Sequence, residues 1–511
     1  MRRTVIRSTA LSILAALMLP VASPSIAQDD SLTIAYLSGP TGEAPDPRIR
    51  YNGWLSNQTG VTETLMGLTP EMELYPRLAE SLELVDPTTW RMTLREGLAF
   101  HDGSPVTSQS VIDSIAPILD AGSELHNPRN AGLLKIAGME AEGDRVVVFT
   151  TAEPNAAFPW ILTEPGVVVL GEPSEAYPIN ATGPYIFREA IADQLYRVEA
   201  NPAYRDGAPG ISEVRALTVT DPAAAALAFE AGDVDLVINY PETDFERITA
   251  TGAQGFSAPT VQLYWLDIDA THGPLKDARI RRAVSLAIDR QGIVDAALSG
   301  IGGEPAGTLY PALMPWAADI APTYDPAAAE ALLAEAGAVK QGGRWMLDGE
   351  PLRIDLVTYA SRAALPPTAE LIQAYLMAIG IDAGVSIGEW GANNDAIASG
   401  SADMHLQAWG VAPSGDPAYF PGAVLHSEAG SNIGGYANPA LDALLAEGRQ
   451  TFDPESRKAI YDQVQAIIAN DAPMIPVFHA AQVSVAKPGL KGFAVHPAMT
   501  YWLSPDIRWA D

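Results

Sequence analysis

The chain has 511 residues, with 62 acidic side chains against 31 basic ones, a net charge of −31 and no cysteine. Such a surface repels nucleic acid and anionic membranes, and the missing cysteines exclude disulfides, thiolate catalysis and thiolate metal sites. The length suffices for two large lobes or several smaller domains.

The opening residues read as an export signal. Arg2, Arg3 and Arg7 precede a short apolar run from Leu11 to Leu19, and Ser25-Ile26-Ala27 supplies the small residues of a cleavage site. The run is too short to span a bilayer, so residues 1–27 are expected to be removed and the remainder to be exported without membrane insertion. Residues 31–36, SLTIAY, alternate as a first strand. A loop rich in proline and glycine follows and contains Trp54, a candidate cleft residue, and a short helix is expected over 61–68. Between Pro76 and Val111 the pattern predicts two strands, a turn at His101-Asp102-Gly103 and a helix capped near Thr107. Arg129 lies in a polar stretch before a short helix. In a chain this acidic its guanidinium is a candidate fork for a ligand carboxylate. An alanine-rich helix over 221–232 and a strand over 234–238 complete this half.

Residues 261–269 are expected to cross between lobes, followed by a helix ending near Arg290. The segment 324–337 has Asp325 as cap, Pro326 at the first helical position and Gly337 at the stop. Strand 351–358 and helix 369–380 give a βαβ-like order, which predicts a partly parallel sheet in the second lobe. A strand-like stretch from Ala402 then leads into AWGVAPSGDPAYFP, a loop of glycines, prolines and aromatics. Trp409, Tyr419 and Phe420 there, with Tyr436 further on, offer rigid faces for binding, and Gly410 permits close approach. No nucleophile elbow, P-loop, dinucleotide fingerprint or paired-histidine zinc motif occurs, so no enzymatic activity is expected. His405 and His426 flank the Trp409 loop and are the candidate metal-facing histidines.

Several ordered stretches resemble the bacterial extracellular solute-binding proteins of family 5, the peptide- and nickel-type subunits of ABC importers. They include LREGLAFHDGSPVTSQSV, NATGPY, GPLKDARIRRAVSLAIDR, YDPAAAEALLAEAG and GYANPALDALL. The resemblance implies an α/β fold of two lobes, with ligand enclosed at their interface by hinge closure. The first lobe is expected over 28–260, with an extra subdomain and completed by 483–511, and the second over 261–482. It also implies a periplasmic monomer, partnered by a permease and its ATPase, that captures a peptide, opine or metal chelate and carries no cofactor. In peptide-binding members the tryptophan loop bears an aspartate for the peptide amine, and Ala412 stands there in this chain. The loop is more similar to the nickel-type pattern, onto which Trp409, Gly410, Asp416-Pro417 and Phe420 map. On that pattern His405 or His426 meets metal only through a bound chelate.

Overall fold

The computed structural model describes residues 30–42, 45–49 and 51–510. The expected leader, 1–27, lies outside them. One sheet of 11 strands runs through both lobes. From one edge its order is Asp382–Ile387, Arg353–Thr358, Met404–Gly410, Gln254–Ile268, Met474–Ala486, Leu236–Ile238, Ser31–Tyr36, Glu213–Thr218, Leu195–Ala200 and Tyr185–Ile191, with Gly303–Pro305 added beside Met474–Ala486.

Two long antiparallel strands, Gln254–Ile268 and Met474–Ala486, join the lobes. Gln254 pairs with Ala486 at the first lobe and Asp267 with Met474 deep in the second. Their register shifts between Pro259 and Leu263 and again between Tyr264 and Trp265, so the ladder is interrupted midway, where bending costs fewest hydrogen bonds. In the first lobe Ser31–Tyr36 runs parallel to both Glu213–Thr218 and Leu236–Ile238. In the second, Arg353–Thr358 runs parallel to Asp382–Ile387 and Met404–Gly410. Ligands of open parallel sheets gather at the carboxyl ends of such strands.

Burial follows this division. One core combines Leu32, Ile34, Tyr185, Tyr196 and Val214 with Trp502, Leu503 and Ile507, so the C-terminal tail packs against the first strands. Another gathers Leu266, Val284, Ile354, Ile372 and Leu406 under helices Ala278–Ala287, Pro326–Glu335 and Leu365–Ile379. A separate four-stranded antiparallel sheet, with Ala79–Asp86, Thr89–Leu94 and Val146–Thr151 among its strands, carries its own core with helices Ser108–Leu119 and Pro128–Leu134.

The local signals act as the sequence suggests at Thr107 and Asp325, whose side chains each accept a backbone N–H of the helix they open, and Asp221, expected inside its helix, caps it in the same way. Three expectations change. No helix forms over 61–68; the helix lies earlier, at Asn52–Gln58, and Met66–Leu68 is a strand. Gly60 at φ +70° ends that helix, and the Val61 N–H turns back to the Ser56 carbonyl at 2.8 Å. Glu63, fully buried, is then drawn between Arg205 (2.6 Å) and Arg77 (3.2 Å), which holds the chain in a non-helical path. Arg129 is not in the loop but on the first turn of Pro128–Leu134, which Asn127 caps. The crossing segment expected over 261–269 is joined by a second one, the strand Met474–Ala486.

Candidate ligand-binding cleft

Trp409 ends the strand Met404–Gly410, opposite Leu263 of the first crossing strand. Its half-buried ring meets Tyr419 edge-on at 6.0 Å and Phe420 at 6.1 Å. The Arg129 guanidinium lies over Tyr419, 5.1 Å from the ring centre. Arg129, Trp409, Tyr419 and Phe420 are thus brought together from three elements. Their exposures differ: Phe420 is fully buried, edge-on to Trp265 at 5.0 Å, and belongs to the core. Gly410 has open space where a Cβ would stand.

The charges of this loop are already matched. Both sides of the Arg129 fork donate to Glu164, at 3.0 and 3.1 Å, and Glu164 is 2% exposed. Burial alone would lower the Arg129 pKa, but the Glu164 carboxylate outweighs it and raises it. Asp416 meets Arg457 at 2.7 Å with both side chains 3% exposed. This is a charge contact rather than an aligned hydrogen bond, since neither closest atom has a hydrogen-bond partner. The Trp316 indole donates to the Gly415 carbonyl at 3.0 Å and the Tyr310 hydroxyl to Pro417 at 2.6 Å. Gly415 sits at φ +82°, and a Cβ there would lie 2.7 Å from the Trp160 ring, so the position needs glycine on both counts. The loop is a braced platform.

The other candidates stand elsewhere. Tyr436 is buried, and its hydroxyl donates to Asp471 at 2.7 Å beside the Asn438 helix cap. His405 is fully enclosed: its Nδ1 donates to Asn394 at 3.0 Å, its Nε2 has no partner, and burial pushes its pKa down to about 4. It has no face to offer a solute in this arrangement. His426 accepts the Glu428 N–H at 3.1 Å. Among the described residues no group of three or more histidine, aspartate or glutamate side chains is placed to hold a metal ion.

Trp54 belongs to a second aromatic group at the carboxyl end of Ser31–Tyr36. It stacks on Tyr51 at 6.2 Å, Tyr51 stacks on Tyr36 at 6.5 Å, and Tyr36 meets Trp502 edge-on at 4.2 Å. The Tyr36 and Tyr51 hydroxyls hydrogen-bond each other, and burial raises the pKa of both. From the second lobe, Arg362 reaches this row. It follows the strand Arg353–Thr358, and its charge acts on the phenols of Tyr36 and of Tyr264 on the crossing strand. Tyr264 in turn stacks on Phe478 of the other crossing strand at 4.4 Å. Among the described residues Arg362 has no carboxylate within ion-pair distance. An aromatic wall on one lobe and an unmatched guanidinium on the other, meeting beside the crossing strands, form a site able to hold an anionic group against flat apolar surface.

Sequence reasoning missed Arg362, Tyr36 and Tyr264. The signal was present but faint: YASRAALPP places one arginine immediately after an alternating strand, where α/β sheets bind ligands. An apolar groove of about 790 Å³, lined by Trp90, Trp160, Trp316 and Phe452 among others, includes none of Arg362, Tyr36 and Tyr264 and shares Trp160 and Trp316 with the bracing of the Trp409 loop.

Comparison with known proteins agrees with this architecture. The family model for bacterial extracellular solute-binding proteins, family 5, matches residues 73–432. The probable di/tripeptide-binding protein 5 of Pseudomonas aeruginosa (strain UCBPP-PA14) is 25% identical, over 88% of this chain and 90% of its own. The nickel-binding periplasmic protein of Escherichia coli (strain K12) is 27% identical, over 93% and 94%. A crystal structure of a nickel ABC transporter protein from Bacillus halodurans superposes with a TM-score of 0.82 at 26% identity, covering 94% of this chain and 99% of that one. The chain belongs to the bacterial extracellular solute-binding proteins of family 5, and its function is the capture of a solute for an ABC importer.

Proposed function

We propose that the cleft captures a small solute bearing a carboxylate or comparable anionic group, with Arg362 gripping that group and the Tyr36–Tyr51–Trp54 row and Tyr264 covering its body. The observation that carries this reading is an arginine left without a carboxylate in a chain with 62 acids and 31 bases. The names of similar proteins support it in kind, since peptides carry a carboxylate and one solved structure, of NikA from Staphylococcus aureus, holds nickel as a complex of L-histidine. The interrupted ladder of the crossing strands supplies a hinge for closure around the solute. The loaded protein then docks on a membrane permease driven by a separate ATPase. Export of the chain by its leader places this exchange in the periplasm, and the solute leaves unchanged.

The test is calorimetric titration of the wild type and Arg362→Met with the dipeptide Ala-Phe and with the nickel complex of L-histidine. At least one probe is expected to bind the wild type and to lose roughly 30-fold or more in affinity on the substitution, since a desolvated charge contact is removed. The melting temperature without ligand should not move. Equal affinity of the two proteins for every probe that binds, or no binding by the wild type, overturns the assignment of Arg362.

A further inference from the structure

We propose that the four-stranded subdomain latches onto the second lobe when the cleft closes, and that this latch sets the balance between open and closed protein. It is built from Trp90 and Trp160 of the subdomain, Phe452 and Trp316 of the second lobe, and a backbone hydrogen bond between Ala156 and Arg449. The latch rests on the hinge closure described above and not on which residues grip the solute.

The two bodies exchange aromatic rings. Phe452, between the helices Pro439–Gln450 and Pro454–Asp471, packs against the core of the subdomain and meets Trp90 at 5.9 Å. In return Trp160, on the short helix Phe158–Ile161, packs against the core that holds Trp316, Phe420 and Tyr461, and meets Trp316 edge-on at 5.9 Å. Leu68 and Met72, on the stretch leading into the subdomain, are buried in that same core. The Ala156 N–H donates to the Arg449 carbonyl at 2.8 Å, and Asn155 beside it is held to the subdomain through the Leu133 carbonyl at 3.1 Å. A Cβ on Gly415 of the Trp409 loop would lie 2.7 Å from the Trp160 ring, which puts the contact on the cleft side of the hinge. The helix Pro454–Asp471 leads directly into the crossing strand Met474–Ala486, so a bend in that strand moves Phe452 relative to the subdomain.

Three features mark a contact that forms and separates rather than a permanent seam. A permanent seam is packed like a protein interior, whereas here the groove of about 790 Å³ runs between the bodies. Leu82 and Leu84 of the subdomain line it on one side, and Pro315 and Pro454 of the second lobe on the other. Next, the Trp90 indole N–H is buried without a hydrogen-bond partner, a cost of contact that water removes when the bodies part. Finally, among the described residues Ala156 to Arg449 is the one backbone-to-backbone hydrogen bond between the subdomain and the second lobe. Burial of the rings with Leu68 and Met72 favours closure, while the unfilled groove and the orphaned N–H limit it. The two states therefore stay near enough in free energy for a solute to shift one into the other.

The experiment has two readouts on the exported protein, and neither needs a known solute. The first is amide hydrogen exchange of the wild type, read residue by residue by mass spectrometry. The Ala156 amide has its acceptor across the contact, so it exchanges each time the latch opens. It is expected to exchange at least ~100-fold faster than the amide of Val147, which lies buried in the subdomain sheet and opens only with it. Equal protection of the two amides overturns the latch, because the seam would then be permanent. The second readout uses the absence of cysteine from the chain. Spin labels on Val85→Cys and Glu455→Cys, both exposed and on opposite sides of the groove, report the separation of the bodies by pulsed electron resonance. Adding Phe452→Ala should shift the population towards longer distances. A distribution that Phe452→Ala leaves unchanged or shortens overturns the proposal. The exchange measurement needs no substitution, so a variant that misfolds does not shield it.

Discussion

Two regions of this molecule set an arginine against tyrosine rings, and they differ in what else the arginine touches. Over Tyr419, Arg129 is forked onto a buried Glu164, and nearby Asp416 is buried against Arg457. Near Tyr264, Arg362 has no carboxylate within ion-pair distance among the described residues. The first region spends its charges on holding a loop in place. In the proposed function, the second keeps its charge for a solute. Matched buried charge marks structure, while unmatched charge at a cleft marks a binding function.

The largest effect that sharpens this contrast is expected at the matched pair. Asp416→Ala leaves Arg457 charged at 3% exposure with no carboxylate, only the Gly448 carbonyl at 2.9 Å and the faces of Trp316 and Tyr461. Loss of one partner of such a pair costs about 3–5 kcal/mol, read as a lower midpoint in urea unfolding with an unchanged slope. A loss under about 1 kcal/mol would break the contrast, because the pair would then not be what braces the loop.

An unmatched carboxylate should behave in the opposite way. Asp267 is 5% exposed and accepts from the Gln407 amide at 2.7 Å, while Gln407 accepts from the Trp390 indole at 2.9 Å. No cation offsets its desolvation, and its pKa is raised from 3.8 to about 7. The native state therefore binds a proton that the unfolded chain has released between these values. The stability associated with Asp267 is fully present below pH 3.8 and is lost as pH rises through about 7. Asp267→Asn is expected to be more stable than wild type at pH 8, by on the order of a few kcal/mol, and to converge with it near pH 4. Parallel unfolding curves for the two proteins across this range would show that Asp267 is not desolvated as described.

The contrast also separates what was legible in the sequence from what was not. Elements written in local chemistry were legible: the alternation of Ser31–Tyr36, and the caps at Thr107 and Asp325. The helix Asn52–Gln58 was missed because its cap residue, Tyr51, makes no side-chain capping bond. It is held instead by tertiary contacts such as Asn57 to the Thr500 carbonyl at 2.9 Å. In the site, aromatic composition drew attention to Trp409 and Tyr419, which do come together with Arg129. What composition could not reveal is which charges are spoken for. Glu164 lies 35 residues from Arg129, and the sequence alone does not say which of 62 acids meets which base. Arg362 becomes conspicuous only in the fold, by its place at the carboxyl end of a parallel strand, whereas other arginines without a carboxylate, such as Arg281 and Arg290, donate to backbone carbonyls.

The smallest effect is the one that tells the two arginines apart. Arg129 is 41% exposed while its partner Glu164 is buried, so the pair is screened on one side and worth little more than a surface bridge. Arg129→Met should lower stability by about 1 kcal/mol, from the lost fork and the lost contact with Tyr419. Its affinity for whichever probe Arg362 holds should stay within about threefold of wild type, since a shift that small is only about 0.6 kcal/mol. Arg362→Met should show the reverse, with binding lost and unfolding unchanged. If Arg129→Met instead abolishes binding while stability holds, then Glu164 must give up the fork when ligand arrives. In that case Glu164→Gln, which retains one acceptor but removes the competing charge, should bind the probe more tightly than wild type. That pair of results would move the anionic subsite to the Trp409 loop and make the paired state of Arg129 the resting form of a binding residue.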